Sequence, residues 1–217
     1  MKIQMTTCRR GAFNYFELVV VIGVLVVLAV LLLPVLRSAK QHAQRITCNG
    51  RLKLITMSNK IWANDHDDKY PIQMAMTNGA TANLIGTGSM FIVWQMLSNE
   101  INAPQILHCP ADKNTSETYG FENLKDANIS YFLGVDASEE NLPSILTGDD
   151  NLAIGGKPVL SGISNLNSNS IVEWTAGRHP DMENIGLADG SVSLLSNLEL
   201  NNAIEATGLV TNRVAIP

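Results

Sequence analysis

From Leu18 to Leu36 the chain runs nineteen residues without a charge, all of them Val, Leu, Ile, Ala, Gly or the single Pro34. At roughly 1.5 Å per helical residue this run approaches the roughly 30 Å of a bilayer core. A helix is the one single-segment structure that satisfies its own backbone in lipid. Past Pro34 the apolar positions recur every three or four residues, at Leu36, Ala39, Ala43, Ile46, Gly50, Leu54, Met57 and Ile61. That spacing predicts an amphipathic continuation. Pro34 removes a backbone donor and predicts a bend; Gly50 weakens the helix by about 1 kcal/mol relative to Ala without forbidding it. One long helix over residues 13 to about 63 follows, ending near Asn64-Asp65-His66-Asp67-Asp68, before Tyr70-Pro71.

The remaining pattern is shorter in period. Ser89 to Asn99 predicts a short helix with Phe91, Trp94 and Leu97 or Met96 inward, and Asn128 to Val135 a strand through Ile129, Tyr131 and Leu133. Ser144 to Thr147 and Lys157 to Leu160 are weaker strands, separated by the turn formers Gly148, Asp149, Asp150, Asn151, Gly155 and Gly156. Ser170 to Thr175 is a strand. Asn184 to Ser196 predicts a hairpin about Asp189-Gly190, a dipeptide suited to a type I′ turn. A two-residue loop there pairs Leu187 with Val192 and Ile185 with Leu194, placing all four on one face. Leu198 to Ala206 is a closing helix stopped by Gly208. The expected fold class is α+β, a long N-terminal helix packed on a small antiparallel sheet.

The chain's 217 residues hold a leader, one membrane helix and one modest globular domain. Charge is unevenly distributed: six Lys/Arg and no acid lie between Arg37 and Lys60, whereas nineteen acids and six bases follow from Ala63. A basic stem with an acidic head suits either head-to-stem contacts between neighbours or plain solvation. The acidic head argues against nucleic acid as a partner. Lys2, Arg9 and Arg10 precede the apolar run and Arg37, Lys40 and Arg45 follow it, so charge counting leaves the orientation of a membrane span nearly balanced.

One carboxylate, Glu17, stands at the mouth of the apolar run. Such an acid is costly at a membrane boundary unless it sits among headgroups or meets a cation. Before it lie the basic leader, the small pair Gly11-Ala12, and Phe13; a cut after Ala12 would create a cationic amine four residues from Glu17. Gly11 to Glu17 and the apolar helix resemble the processing signal of type IV pilins and type II secretion pseudopilins. The resemblance implies cleavage between Ala12 and Phe13 by a prepilin peptidase, with Gly11/Ala12 as the alternative bond, and N-methylation of Phe13. It further implies that Glu17 and Pro34 serve assembly of the apolar helices. Ala12 stands where that family usually has Gly, and Asn14-Tyr15-Phe16 replaces its common Thr-Leu-Ile. Loss of residues 1 to 12 would remove three bases and shift the formal charge from −5 to −8.

His179, nine residues, then Asp189-Gly190 resembles the H-X9-DG motif of a bacterial pilin-like subfamily. Cys48 with Asn49, Leu52 and Lys53, later Asp65, Tyr70 and Pro71, and Cys109-Pro110-Ala111-Asp112 resemble it too. The organisation implied is a leader (1–12), a membrane and assembly helix (13–36), its amphipathic continuation (37–64) and a periplasmic head (65–217). The protein would span a bacterial inner membrane once, with its N-terminus cytoplasmic, and would be a filament or pseudopilus subunit rather than an enzyme. Its partners would be the peptidase, the membrane, and copies of itself or related subunits. A tethered periplasmic binding domain that never polymerises is the alternative.

With Cys8 in the leader, the mature chain keeps Cys48 and Cys109, expected as a disulfide in an oxidising compartment, or otherwise as two buried thiols. Closing a loop of about 60 residues would stabilise by roughly 4 kcal/mol on chain-entropy grounds. His179 with Asp181, Glu183 and Asp189 reads as a metal cluster or acid–base pair, or more simply as a structural histidine. Calcium is conceivable at Asp65, Asp67 and Asp68, or at Asp149-Asp150, although EF-hand spacing is missing. No other cofactor is expected. Trp62, Trp94 and Trp174 are read as core or interface aromatics.

Overall fold

A computed structural model describes residues 14–141, 143–175, 178–179 and 182–217. Its contacts divide the chain at His42/Ala43 into two compact units. Helix α1, Tyr15–Asn64, supplies residues to both.

In the first unit the described side chains from residue 14 to residue 42 are all exposed, the large hydrophobic ones from Val21 at 46% to Tyr15 at 79%. The helix is long and apolar enough to cross a membrane. Pro34 lies within α1 without ending it. The helix opens with Asn14 as its cap, and the backbone N–H of Asn14 donates to Oε2 of Glu17 at 3.0 Å. This is half of a capping box, in which a carboxylate on the first turn quiets a donor the helix cannot use itself.

The second unit begins at Ala43 and carries the head. After α1 come the short helices α2 (Pro71–Thr77), α3 (Gly79–Gly86) and α4 (Phe91–Met96), then strands β1 (Tyr131–Gly134) and β2 (Ile145–Asp149). Strands β3 (Leu152–Ile154), β4 (Lys157–Pro158), β5 (Gly162–Asn167), β6 (Val172–Trp174), β7 (Glu183–Leu187) and β8 (Val192–Leu195) follow. Helix α5 (Asn197–Ala206) and strand β9 (Thr211–Ile216) close the chain. The strands form a six-stranded sheet in the order β5-β9-β1-β2-β7-β8 and a three-stranded sheet β4-β3-β6. All their pairings are antiparallel. The fold is therefore α+β with an antiparallel sheet, larger than the sequence pattern indicated because β5 and β9 were not anticipated.

The large sheet is buried on both faces. Tyr131 and Leu133 join Cys48, Leu52, Ile55 and Trp62 of α1 in one cluster. Phe132, between them, joins Ile185, Leu166, Val214, Leu200 and Ile204 in the other. Two corrections to the sequence pattern follow from this. The β7–β8 register is one residue off the expected one: Ile185 faces Ser193 and Asn184 faces Leu194. The loop holds three residues, with Gly190 at φ +90° and Leu187 exchanging backbone bonds with Ser191 and Gly190. This is the three-residue hairpin with a left-handed glycine. With a core on each face, the strand had no need to keep all its apolar residues on one side.

The second correction concerns α1. The predicted stripe is exposed: Ile46 60%, Leu54 56%, Met57 40% and Ile61 56%. The helix meets the sheet instead through Cys48, Leu52, Ile55, Thr56, Asn59 and Trp62. At 100° per residue the two sets are about 170° apart around the axis. The polar members bond their own helix, Thr56 Oγ1 to the Leu52 carbonyl at 2.8 Å and Asn59 Nδ2 to that of Ile55 at 3.0 Å. Carrying those donors inward therefore leaves them paired.

Cys48 and Cys109 form the disulfide. Strand β7 lies along α1: Asn49 Nδ2 donates to Asn184 Oδ1 at 3.0 Å, and Lys53 Nζ donates to the Gly190 carbonyl at 2.5 Å. A Cβ on Gly186 would come within 2.4 Å of Thr56 Oγ1 and 2.8 Å of Thr147 Cγ2. Glycine is required here by proximity. Gly186→Ala should destabilise by about 1–3 kcal/mol in urea unfolding, with part of the loss recovered in the Thr56→Ala background; equal losses in both backgrounds would refute the close contact. Alkylation of the denatured, unreduced protein should label neither Cys48 nor Cys109, and Cys109→Ser should lower the unfolding free energy by roughly 4 kcal/mol.

Candidate functional site

The head's buried polar centre lies where four segments converge: Cys109 to Asp112, Ser130 before β1, the end of β2 and the start of β7. Arg178 occupies its middle. Nη2 meets Asp112 Oδ2 at 2.5 Å and also contacts Asp150 Oδ1, and Nη1 donates to the Ser130 carbonyl at 2.8 Å. Asp112 is further held by Ser130 Oγ at 2.9 Å, Thr115 Oγ1 at 3.0 Å and the backbone N–H of Asn114 at 2.9 Å. Burial alone would raise its pKa, but the Arg178 charge and these donors outweigh it and hold the carboxyl below its usual range. Asp150, less well supplied with donors, is pushed up to about 6 by burial despite Arg178.

Beside this ion cluster stands a second group, Asp149, His179 and Glu183, each with a side chain no more than 1% exposed. Asp149 Oδ2 accepts from the backbone N–H of Asn184 at 2.7 Å and from its Nδ2 at 2.9 Å. Glu183 Oε1 accepts from Asn151 Nδ2 at 2.9 Å and the backbone N–H of His179 at 3.2 Å. The His179 ring packs with Nε2 3.5 Å from Cys109 Sγ and 3.8 Å from Glu183 Oε2. One ligand atom from each of Asp149, His179 and Glu183 lies within 4.8 Å of the other two. Burial lowers the His179 pKa, with Asp149 opposing. Burial first, and the Asp149 charge second, push Glu183 up to about 8.

The residues singled out in the sequence divide on this geometry. His179 and Asp149 come together; Asp150 contacts Arg178, whose Nη1 lies 3.9 Å from Asp149 Oδ1. Asp189 stays in the exposed β7–β8 turn, where the Ser191 hydroxyl first, and then the Ser191 backbone N–H at 2.7 Å from Oδ1, lower its pKa. Asp189 is thus occupied by the turn expected of it, and the alternative of a His179–Asp189 acid–base pair does not form. Asp65, Asp67 and Asp68 are exposed where α1 ends, Asp67 and Asp68 with φ of 54° and 56°. Ala12, Phe13 and Asp181 lie outside the described residues. The sequence pattern missed Arg178 and gave Glu183 only a minor place; a basic residue beside His179 in an acid-rich head was the available signal.

The H-X9-DG spacing has a mechanical explanation here. His179 sits against the disulfide that starts at Cys48, and Gly190 packs on Met57 and Lys60. From Cys48 to Lys60 is about 18 Å of helix, and β7, Glu183–Leu187, runs for about 13 Å beside it. No protein-family model, curated protein or solved structure matches the chain.

The raised Glu183 carboxyl carries a pH signature in protein stripped of metal with EDTA. A folded-state pKa above the unfolded value means the native state keeps a proton that the unfolded chain releases. Its contribution is full below about pH 4.5 and is lost as pH rises through about 8. Glu183→Gln mimics the protonated form, so its stability should gain on the parent chain between those limits, by at most about 1.4 kcal/mol per pH unit. Melting curves of the two proteins across that range check the sign; a gap independent of pH would refute it.

Proposed function

We propose that the chain is a structural, prepilin-like subunit and not an enzyme. Two supports come from different parts of α1. The uncharged run from Leu18 to Leu36 has every side chain exposed and a lone carboxylate, Glu17, on its first turn. The observation that carries the reading is the second: Ile46, Leu54, Met57 and Ile61 form an apolar stripe that the head leaves uncovered. It extends over about 22 Å of helix. A domain that only needed a tether has no use for an apolar face outside the bilayer, whereas a subunit that bundles with its neighbours does.

On this reading a prepilin peptidase cuts between Ala12 and Phe13 and methylates the new terminus. The apolar helix rests in a bacterial inner membrane with the head on the periplasmic side. Copies of this chain or related subunits then pack their helices into a type IV pilus-like filament or a type II secretion pseudopilus, a neighbour's Phe13 amine meeting Glu17. Within one chain Glu17 already bonds the Asn14 N–H, so the neighbour's amine would join an acid that also caps its helix.

Mass spectrometry of the native protein should find a chain beginning at methylated Phe13. Glu17→Val and Ile61→Asp should each insert in the membrane at parental levels and abolish cross-linkable assemblies. A native chain still beginning at Met1 would refute the processing step. Unchanged assembly in both variants would favour a tethered domain that does not polymerise.

A further inference from the structure

Asp149 and Glu183 each keep one buried oxygen, Oδ1 and Oε2, with no hydrogen-bond donor among the described residues, and a ligand atom of each lies within 4.8 Å of the other and of a His179 ring nitrogen. Each belongs to a carboxylate whose other oxygen is fixed by two N–H donors, from Asn184 in one case and from Asn151 and His179 in the other. The nearest guanidinium nitrogen, Arg178 Nη1, is 3.9 Å from Asp149 Oδ1, beyond hydrogen-bonding distance, and that side chain is engaged with Asp112, Asp150 and the Ser130 carbonyl. His179 Nε2 stands 3.8 Å from the free Glu183 oxygen. Donors that pin one oxygen and leave the other facing inward are how outer residues orient ligands around a metal.

We propose that Asp149, His179 and Glu183 bind one divalent transition-metal ion, with the Cys48–Cys109 disulfide intact beside it. An imidazole and two carboxylates form a nitrogen-and-oxygen set that suits zinc or manganese better than calcium, which takes six to eight oxygens. Ligands about 2.1 Å from a tetrahedral zinc lie about 3.4 Å apart. The 3.8 Å between His179 Nε2 and Glu183 Oε2 closes to that with a shift of a few tenths of an ångström. The ion would tie the end of β2 to the start of β7 and to His179, so its role is structural: it braces the junction where the disulfide holds the head to α1. The assignment does not depend on whether the chain polymerises.

The test uses the full chain in detergent, without reductant, stripped with EDTA and dialysed. Titration with zinc chloride, manganese chloride or calcium chloride near neutral pH should show one equivalent of zinc or manganese bound, with a rise in melting temperature. Glu183→Gln retains an oxygen for Asn151 and the His179 N–H, so it should fold with parental circular dichroism. It should lose at least about tenfold in affinity, as even outer-residue changes do at metal sites. No heat and no melting shift with any of the three ions at millimolar concentration overturns the proposal on the parent chain alone. Parental affinity in both Glu183→Gln and Asp149→Asn overturns it too. Binding that needs prior reduction of the disulfide overturns it in favour of a thiolate site on Cys48 and Cys109, and a preference for calcium overturns the ion class.

Discussion

The head is hung on thirteen residues of α1, from Cys48 to Lys60, and the contact that sets its geometry is the lie of β7 along that stretch. Three points fix it: Asn49 on Asn184, Thr56 on Gly186, and Lys53, Met57 and Lys60 on Gly190. A side chain at residue 186 would displace the strand, and a one-residue slip would turn Gly186 away from Thr56. The two glycines permit the approach, and the hydrogen bonds choose the register. Because β7 is paired to β2 and β8, the position of the large sheet follows from this one line of contact.

The polar interior sits at the end of that line. Four carboxyls (Asp112, Asp149, Asp150 and Glu183) share one guanidinium, and their pKa directions report how well each is served. Asp112, with three donors and Arg178, is lowered; Asp150 and Glu183, with fewer, are raised. Buried charge of one sign is relieved by a proton or by a cation. The geometry around Glu183 and Asp149, with one oxygen of each pinned and the other bare, accommodates either.

Much of the element order was readable from the sequence. The apolar run, the Ser89–Asn99 helix, the Asp189-Gly190 hairpin and the closing helix each carry a period or a turn signal that local physics fixes. The closing helix is a case in point, since Ser196 and Glu199 form a capping box. Strands β5 and β9 carry less: Asn165, Asn167, Asn212 and Arg213 interrupt their apolar residues, and their stability comes from each other and from β1. The polar centre was half readable. His179 drew notice through its spacing to Asp189, but its partners are set by tertiary pairing. Asn184 presents Asp149, and Asn151 presents Glu183; neither relation leaves a mark at fixed sequence distance.

The failure of the apolar stripe on α1 is informative in itself. Periodicity finds the most hydrophobic face of a helix, and here that face points away from the head, while Thr56, Ser58 and Asn59 go in. A helix packed only on its own domain would gain by the reverse arrangement, since each exposed Ile or Leu forgoes about 1.5–3 kcal/mol of burial. The donors of the inward polar residues are paired, Thr56 and Asn59 with carbonyls of their own helix and Ser58 with the Glu100 carbonyl at 3.4 Å, whereas Asn59 Oδ1 has no donor among the described residues. The sequence has therefore kept its best apolar surface for something other than the fold. On the proposed reading, that surface, one helix wide and about 22 Å long, is the face that would pack against a neighbour's helix.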